Sequence, residues 1–267
     1  MGQSISSLVF RPPLRRAGAY VQQIDEYFID VLAIGVCIPV LFIRSERAVA
    51  TTLLLAHGNA DDLKSVRPLV QRLVERLGVN VAAFEYPGYG HSMWLNRAET
   101  RPLKPSEAFV YAAADATFDW LLTKQHLNSA DIVLYGYSLG SGAAVHLAVR
   151  CALEHVRCGG LILHAPIASV VRTVLPRICL TVPLLDMFAN VDKIRLINCP
   201  VTIVHGMRDE VVPVSCAVQL ENAAPSALLH DCLYIEDGRH NNLFLHGTLL
   251  FDHMRAFLDS VQIKPAE

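Results

Sequence analysis

Neither sign of charge dominates this chain. Its 267 residues carry 25 acidic and 23 basic side chains, for a net charge of −2. That balance gives no electrostatic reason to expect nucleic acid as a partner. Long apolar runs are missing too. One stretch raises the question, residues 31–43, with 13 uncharged residues between Asp30 and Arg44. A spanning helix wants about 18 or more, so no transmembrane segment is expected there. Gly35 and Pro39 break the stretch, and it reads as a strand pair. There is no linker, internal repeat or low-complexity tract. No His/Cys cluster has metal-ligand spacing, so no metal and no other cofactor is expected. The seven cysteines, at 37, 151, 158, 179, 199, 216 and 232, are odd in number and unpatterned. Without a signal peptide they read as reduced thiols in a cytosolic compartment.

What is present is apolar and alternating. A hydrophobic share of 52% is enough for a sheet covered on both faces. Residues 52–56 read as a strand, and 61–77 as a helix with Leu63, Val66, Leu69, Val70 and Leu73 on one face. Strands follow at 79–85, 132–136, 160–164, 200–205 and 231–235, and helices at 106–123, 139–153 and 243–260. Strands alternating with helices predict an α/β fold with a mainly parallel sheet and one domain over 25–267. A monomer is expected. Residues 167–196 break the alternation with apolar, proline-punctuated sequence. Two readings stand. The segment is a small cap lining an apolar acyl channel, which is favoured, or a pair of helices that pack on the sheet and touch no ligand.

The most informative stretch is Gly136-Tyr137-Ser138-Leu139-Gly140. A short apolar strand precedes it and a small-residue helix follows. Strand, Gly-x-Ser-x-Gly, helix is the setting of a nucleophile elbow, whose tight turn demands minimal side chains around the serine. Glycines at 136 and 140 meet that demand, and Gly142 and Ala143 would let the helix sit close to the strand. The helix N-terminus favours negative charge beside Ser138. Further along, the 200–205 strand leads to Asp209, and the 231–235 strand leads through a glycine turn to His240. The chain order Ser138, Asp209, His240 is that of α/β-hydrolases. A serine hydroxyl is a poor nucleophile at pH 7 and needs an imidazole to take its proton. His240 fits that role, and Asp209 would fix its tautomer. Glu210 is the rival acid, but a neighbour on the same loop points elsewhere. Upstream, His57-Gly58-Asn59-Ala60 follows a strand at the place of a second oxyanion donor, so the N–H groups of Asn59 and Leu139 are the expected oxyanion hole. Eleven histidines are present. His57 is expected to shape its loop through hydrogen bonds. His164 and His205 are expected to be interior histidines, and His230, His246 and His253 to take surface or core roles.

The N-terminus suggests a membrane surface. Met1-Gly2-Gln3-Ser4-Ile5-Ser6 fits the N-myristoylation pattern M-G-x-x-x-[ST]. Residues 1–24 hold Arg11, Arg15 and Arg16 and show no folding pattern, so a flexible anchor segment is expected. One myristoyl chain binds weakly, and the three arginines would supply part of a second signal.

The chain resembles the α/β-hydrolase-domain-containing 17 subfamily, membrane-anchored protein depalmitoylases. Ala56-His-Gly-Asn-Ala60, Tyr86-Pro-Gly-Tyr-Gly90, Leu134-Tyr-Gly-Tyr-Ser-Leu-Gly140, His164-Ala-Pro166, Phe188-Ala-Asn-Val-Asp-Lys-Ile194, His205-Gly-Met-Arg-Asp-Glu-Val211 and Gly238-Arg-His-Asn241 carry the resemblance. It implies Ser138, Asp209 and His240 as a triad, and thioesterase activity on S-acylated proteins. The family anchors itself through an N-terminal cysteine cluster. This chain has no cysteine before Cys37, so Gly2 is the expected replacement, with the protein at the cytoplasmic face of membranes and a cytosolic pool. The same residues would serve an esterase or lysophospholipase acting on lipid-like acyl esters. A non-catalytic membrane adaptor would have no physical need for them. A serine-peptidase label would rest on fold analogy.

Overall fold

The computed structural model describes residues 9–13, 23–47, 49–92, 103–174 and 186–261. They cluster into two compact units that divide between Asn128 and Ser129.

The first unit holds strands β1 (Glu26–Val31), β2 (Val36–Ile43), β3 (Thr52–Ala56) and β4 (Asn80–Phe84) in the order β1-β2-β4-β3. The strand pair expected within 31–43 starts earlier: only its second strand, β2, lies inside that stretch, and its first, β1, ends at Val31, the two running antiparallel from Glu26↔Leu41 to Val31↔Val36. A 3-10 turn over Leu32–Ile34 and Gly35 at φ 65° reverse the chain between them. β2 pairs antiparallel with β4, and β3 parallel with β4. Helix α1 (Leu63–Leu77) begins where Asp62 accepts from the N–H of Ser65, while Ser65 returns a bond to the Asp62 backbone. This reciprocal cap satisfies N–H groups that the helix start leaves without partners. α1 buries Leu63, Val66, Val70 and Leu73, the face its period predicts. It packs on β2 and β4, while α2 (Glu107–Thr123), capped by Ser106, packs on β1.

The second unit is parallel throughout, β5 (Ile132–Tyr137), β6 (Gly160–His164), β7 (Val201–Gly206) and β8 (Leu233–Ile235) in that order. Parallel strands need crossovers, and helices supply them. α3 (Ser141–Leu153) packs on β5 and β6, and α6 (Val214–Ala223) on β7. α7 (Gly247–Val261) closes the chain. Its Phe257 ring lies over Gly160, close enough that a Cβ there would crowd the ring. The residue pattern does not announce α6, because its buried face holds one large apolar residue, Leu220, beside the small Cys216 and Ala217, a weak periodic signal.

Of the 167–196 insertion, residues 175–185 lie outside the described residues, and the acyl-channel reading rests largely on them. The described flanks form the short helices α4 (Val170–Val174) and α5 (Asn190–Lys193). Ile167, Phe188, Val191 and Ile194 are buried, and α5 packs on α3. Gly142 is small for this reason: a Cβ there would strike the Phe188 ring. Its contact is with the insertion, where the sequence alone suggested the strand.

Candidate active site

Ser138, Asp209 and His240 follow the C-terminal ends of β5, β7 and β8. That is the edge of a parallel sheet where ligands bind. Ser138 opens a 3-10 turn over Ser138–Gly140 with φ 53°, a left-handed conformation that costs a serine energy. Gly136 permits the turn, since a Cβ there would meet Ser141 Cα and Gly140 O. Ser141 Oγ donates to the Ser138 carbonyl at 2.6 Å. The same oxygen accepts from the Ile167 N–H and from Asn190 Nδ2, both at 3.2 Å. The insertion flanks therefore brace the elbow. Leu139 is buried beside Ser138.

The side chains form one hydrogen-bonded line. His240 Nε2 lies 3.0 Å from Ser138 Oγ, and His240 Nδ1 lies 2.7 Å from Asp209 Oδ2. A carboxylate only accepts, so Nδ1 carries the proton and Nε2 is left to accept from the serine. Asp209 Oδ1 accepts from the N–H groups of Val211 at 2.8 Å and Val212 at 2.7 Å. Burial opposes the Asp209 charge. The hydrogen bond and charge of His240, with those two N–H groups, outweigh it and hold the carboxyl below its ordinary value. Glu210 is exposed, and Asp209 is the acid that meets His240.

Contacts invisible in the sequence surround this line. Tyr137 stacks on the His240 ring, with centroids 5.6 Å apart and an interplanar angle of 25°. Its hydroxyl lies 3.1 Å from the His240 carbonyl and 3.2 Å from Asn241 Oδ1. His205 Nε2 donates to the Val212 carbonyl at 2.9 Å and stands 3.4 Å from Asp209 Oδ2. Burial lowers its pKa, so it remains neutral beside the acid. His164 is buried, bonded through Nδ1 to Tyr135 Oη at 2.6 Å, and set edge-on to Tyr137. Burial, then the nearby His240 and His205, push its pKa down to about 3. The adjacency of Tyr137 to Ser138 and the four-residue spacing of His205 and Asp209 are the only sequence signals for these roles, and neither is specific.

Asn59 belongs to the first unit. The loop it occupies is held by His57, whose Nδ1 donates to Gly58 O at 2.9 Å and whose Nε2 faces Glu85 Oε1 at 3.2 Å. Burial opposes a charge on His57, but Glu85 outweighs it and raises the pKa. His57 thus shapes its loop, as its position suggests. His230 and His253 bond to Ser260 and Thr202, and His246 Nδ1 stands 3.8 Å from Asp237 Oδ1. Among the described residues, no cluster of His, Cys, Asp or Glu could hold a metal ion, and no helix is long and apolar enough to cross a membrane. Gly2, Arg15 and Arg16 lie outside the described residues; Arg11 is exposed.

A family model described as alpha/beta hydrolase fold matches residues 51–178. The chain is 32% identical over 225 residues to alpha/beta hydrolase domain-containing protein 17B of Xenopus tropicalis, covering 84% of this chain and 72% of that protein. It is 32% identical over 224 residues to protein 17C of Xenopus tropicalis and over 218 residues to the human protein 17C. It spans only 66% and 61% of those two relatives, less than two thirds of their length. Among solved structures, the Pyrococcus furiosus esterase Pf2001 superposes with a TM-score of 0.68 at 15% identity, covering 97% of this chain and 98% of that one. Est1E of Butyrivibrio proteoclasticus superposes with a TM-score of 0.66 at 16% identity, covering 89% and 100%. At such identities the superpositions show the fold: this is an α/β-hydrolase architecture.

Proposed function

The chain belongs to the α/β-hydrolase domain-containing protein 17 family, and from that premise we propose that it is a serine thioesterase releasing long-chain acyl groups from S-acylated proteins. The observation that carries this reading is the Ser138–His240–Asp209 hydrogen-bonded line. In the proposed reaction Ser138 Oγ attacks the thioester carbonyl as His240 Nε2 takes its proton. The tetrahedral oxyanion is stabilised by backbone N–H groups, for which the motifs nominate Leu139 and Asn59. Collapse breaks the C–S bond, and His240 returns the proton to the leaving thiolate. Water then repeats the sequence on the acyl-serine, with His240 as base, and frees the fatty acid. Asp209 holds the imidazole in the tautomer both halves require.

Gly2 is the proposed N-myristoylation site. With Arg11, Arg15 and Arg16 it would place the protein peripherally on the cytoplasmic face of membranes, near S-acylated substrates, with a cytosolic pool. Oxygen esters pass through the same acyl-enzyme, so lysophospholipids are the competing substrate class. The test is turnover of an S-palmitoyl peptide against a lysophospholipid by the full chain, with S-acyl peptides of increasing chain length. The thioester should be cleaved faster. Its preference should climb with each methylene, at about 0.8 kcal/mol per buried group, until the channel fills. Faster lysophospholipid turnover would overturn the thioesterase assignment and leave the serine hydrolase.

A further inference from the structure

Within the segment expected to be a flexible anchor, Val9–Arg11 is held against the domain. Phe10 is 4% exposed and sets its ring edge-on to Tyr89, with centroids 6.3 Å apart and an interplanar angle of 80°. On either side of it, the backbone is gripped by one side chain. Asn59 Nδ2 donates to the Val9 carbonyl at 2.7 Å, and Asn59 Oδ1 accepts from the Arg11 N–H at 2.9 Å. An amide carries both a donor and an acceptor, so Asn59 can pair with a passing backbone segment as another backbone would. Tyr89 Oη donates to the same Oδ1 at 2.7 Å, joining the aromatic contact to the polar one.

The loop 57–60 is thus fixed from two directions. On its inner side His57 bonds Gly58 and Glu85, its ring stacks on Tyr86 at 3.9 Å, and Tyr86 Oη donates to the His57 carbonyl at 2.6 Å. Those contacts hold residues 57 and 58. Asn59, one residue on, is tied through its side chain to Val9, Arg11 and Tyr89.

We propose that Val9–Arg11 is a strap that positions the Asn59 loop for catalysis, with Phe10 and the Asn59 side chain as its positioning residues. The inference rests on the reading above, in which the Asn59 N–H is an oxyanion donor. Such a donor works only if it is already aimed when charge develops, because reorganising it during the reaction forfeits its benefit. A loop held at Asn59 by the strap meets that condition. A released loop offers the same N–H in a spread of directions.

The test uses the full chain with Phe10→Ala, Phe10→Leu and Asn59→Ala. Each is assayed for kcat, for KM, and for inhibition by a long-chain trifluoromethyl ketone. That ketone forms a tetrahedral oxyanion on the nucleophilic serine, so it reports the oxyanion donors without turnover. Complete loss of one donor costs about 10²–10³ in rate, so a loosened donor should cost about ten-fold. Phe10→Ala and Asn59→Ala should therefore lose about ten-fold in kcat and in ketone affinity, with KM within about two-fold. Phe10→Leu keeps an apolar side chain in the same place and should recover most of both. Unchanged kcat and ketone affinity in Phe10→Ala and Asn59→Ala would overturn the strap. So would a loss in kcat without a loss in ketone affinity, which marks general destabilisation. Ser138→Ala is run beside them: full turnover in that variant would sink the serine reading itself, a separate failure.

Discussion

Asp209→Asn probes the part of the site where geometry dictates a number. Asp209 presents Oδ1 to two backbone N–H groups, at 2.8 and 2.7 Å, and Oδ2 to His240 Nδ1 at 2.7 Å. An asparagine must place its NH2 group on one side or the other. Turned toward Val211 and Val212 it would set donors against two N–H groups that cannot change. Turned toward His240 it meets an imidazole that can move its proton from Nδ1 to Nε2. The second arrangement is cheaper. It leaves Nε2–H facing Ser138 Oγ at 3.0 Å, where the ring can no longer accept the serine proton. Loss of the base through the wrong tautomer costs about 10⁴ in kcat in related triads, or about 5.5 kcal/mol of barrier. The assay is steady-state hydrolysis of an S-palmitoyl peptide at neutral pH. KM should change little, since Asp209 acts through His240. Glu210→Gln, at an exposed position, should stay within about two-fold. An Asp209→Asn enzyme within ten-fold of the original, or a larger loss at 210, would refute the reasoning.

Tyr137→Phe keeps the ring on His240 and removes the hydroxyl with its contacts to the His240 carbonyl and Asn241, so kcat should fall about three- to ten-fold with KM nearly constant. Tyr137→Leu removes the stack as well and should fall further; equal kcat for both would mean the hydroxyl alone matters. His164 has its folded pKa pushed below the ordinary 6.5, to about 3, so the unfolded chain takes up a proton that the folded one refuses. Its contribution to stability is therefore full above about pH 6.5 and is lost as pH falls toward 3, at about 1.4 kcal/mol per pH unit. Urea unfolding across pH 4–7 should give a shallower slope for His164→Gln, which keeps an acceptor for Tyr135, with a residual slope from His205; identical slopes would contradict it. Gly2→Ala should move the protein from membranes to cytosol while leaving hydrolysis of soluble thioesters unchanged; an unmodified N-terminus by mass spectrometry would remove this localisation.

Chain order and local pattern carried the site a long way. Strand-to-loop transitions after residues 137, 206 and 235 are written in apolar runs ending at glycine or polar residues, so Ser138, Asp209 and His240 could be nominated together. Strand and helix positions were legible for the same reason, since burial on a sheet or helix face imposes a period. Contacts between distant side chains were not. Tyr137 meets His240 across 103 residues, and Asn190 meets Ser141 across 49. Nothing periodic marks either partner, because the pairing exists only once the strands are laid side by side. Phe10 failed for a related reason. A single aromatic ahead of Pro12-Pro13 has no repeat to show that it is buried, and its partners Asn59 and Tyr89 lie in turns. Gly142 was legible as a place of close approach, but the approaching group, Phe188, comes from the irregular insertion and not from the strand.

The central claim is that Ser138 is the nucleophile. Its most direct test is to react the protein with a long-chain fluorophosphonate, digest it, and locate the adduct by mass spectrometry, with Ser138→Ala treated alongside. The account predicts one adduct, on the peptide containing Ser138, with labelling and S-palmitoyl-peptide turnover both lost in Ser138→Ala. An adduct on another residue, or labelling and turnover that persist in Ser138→Ala, would contradict it.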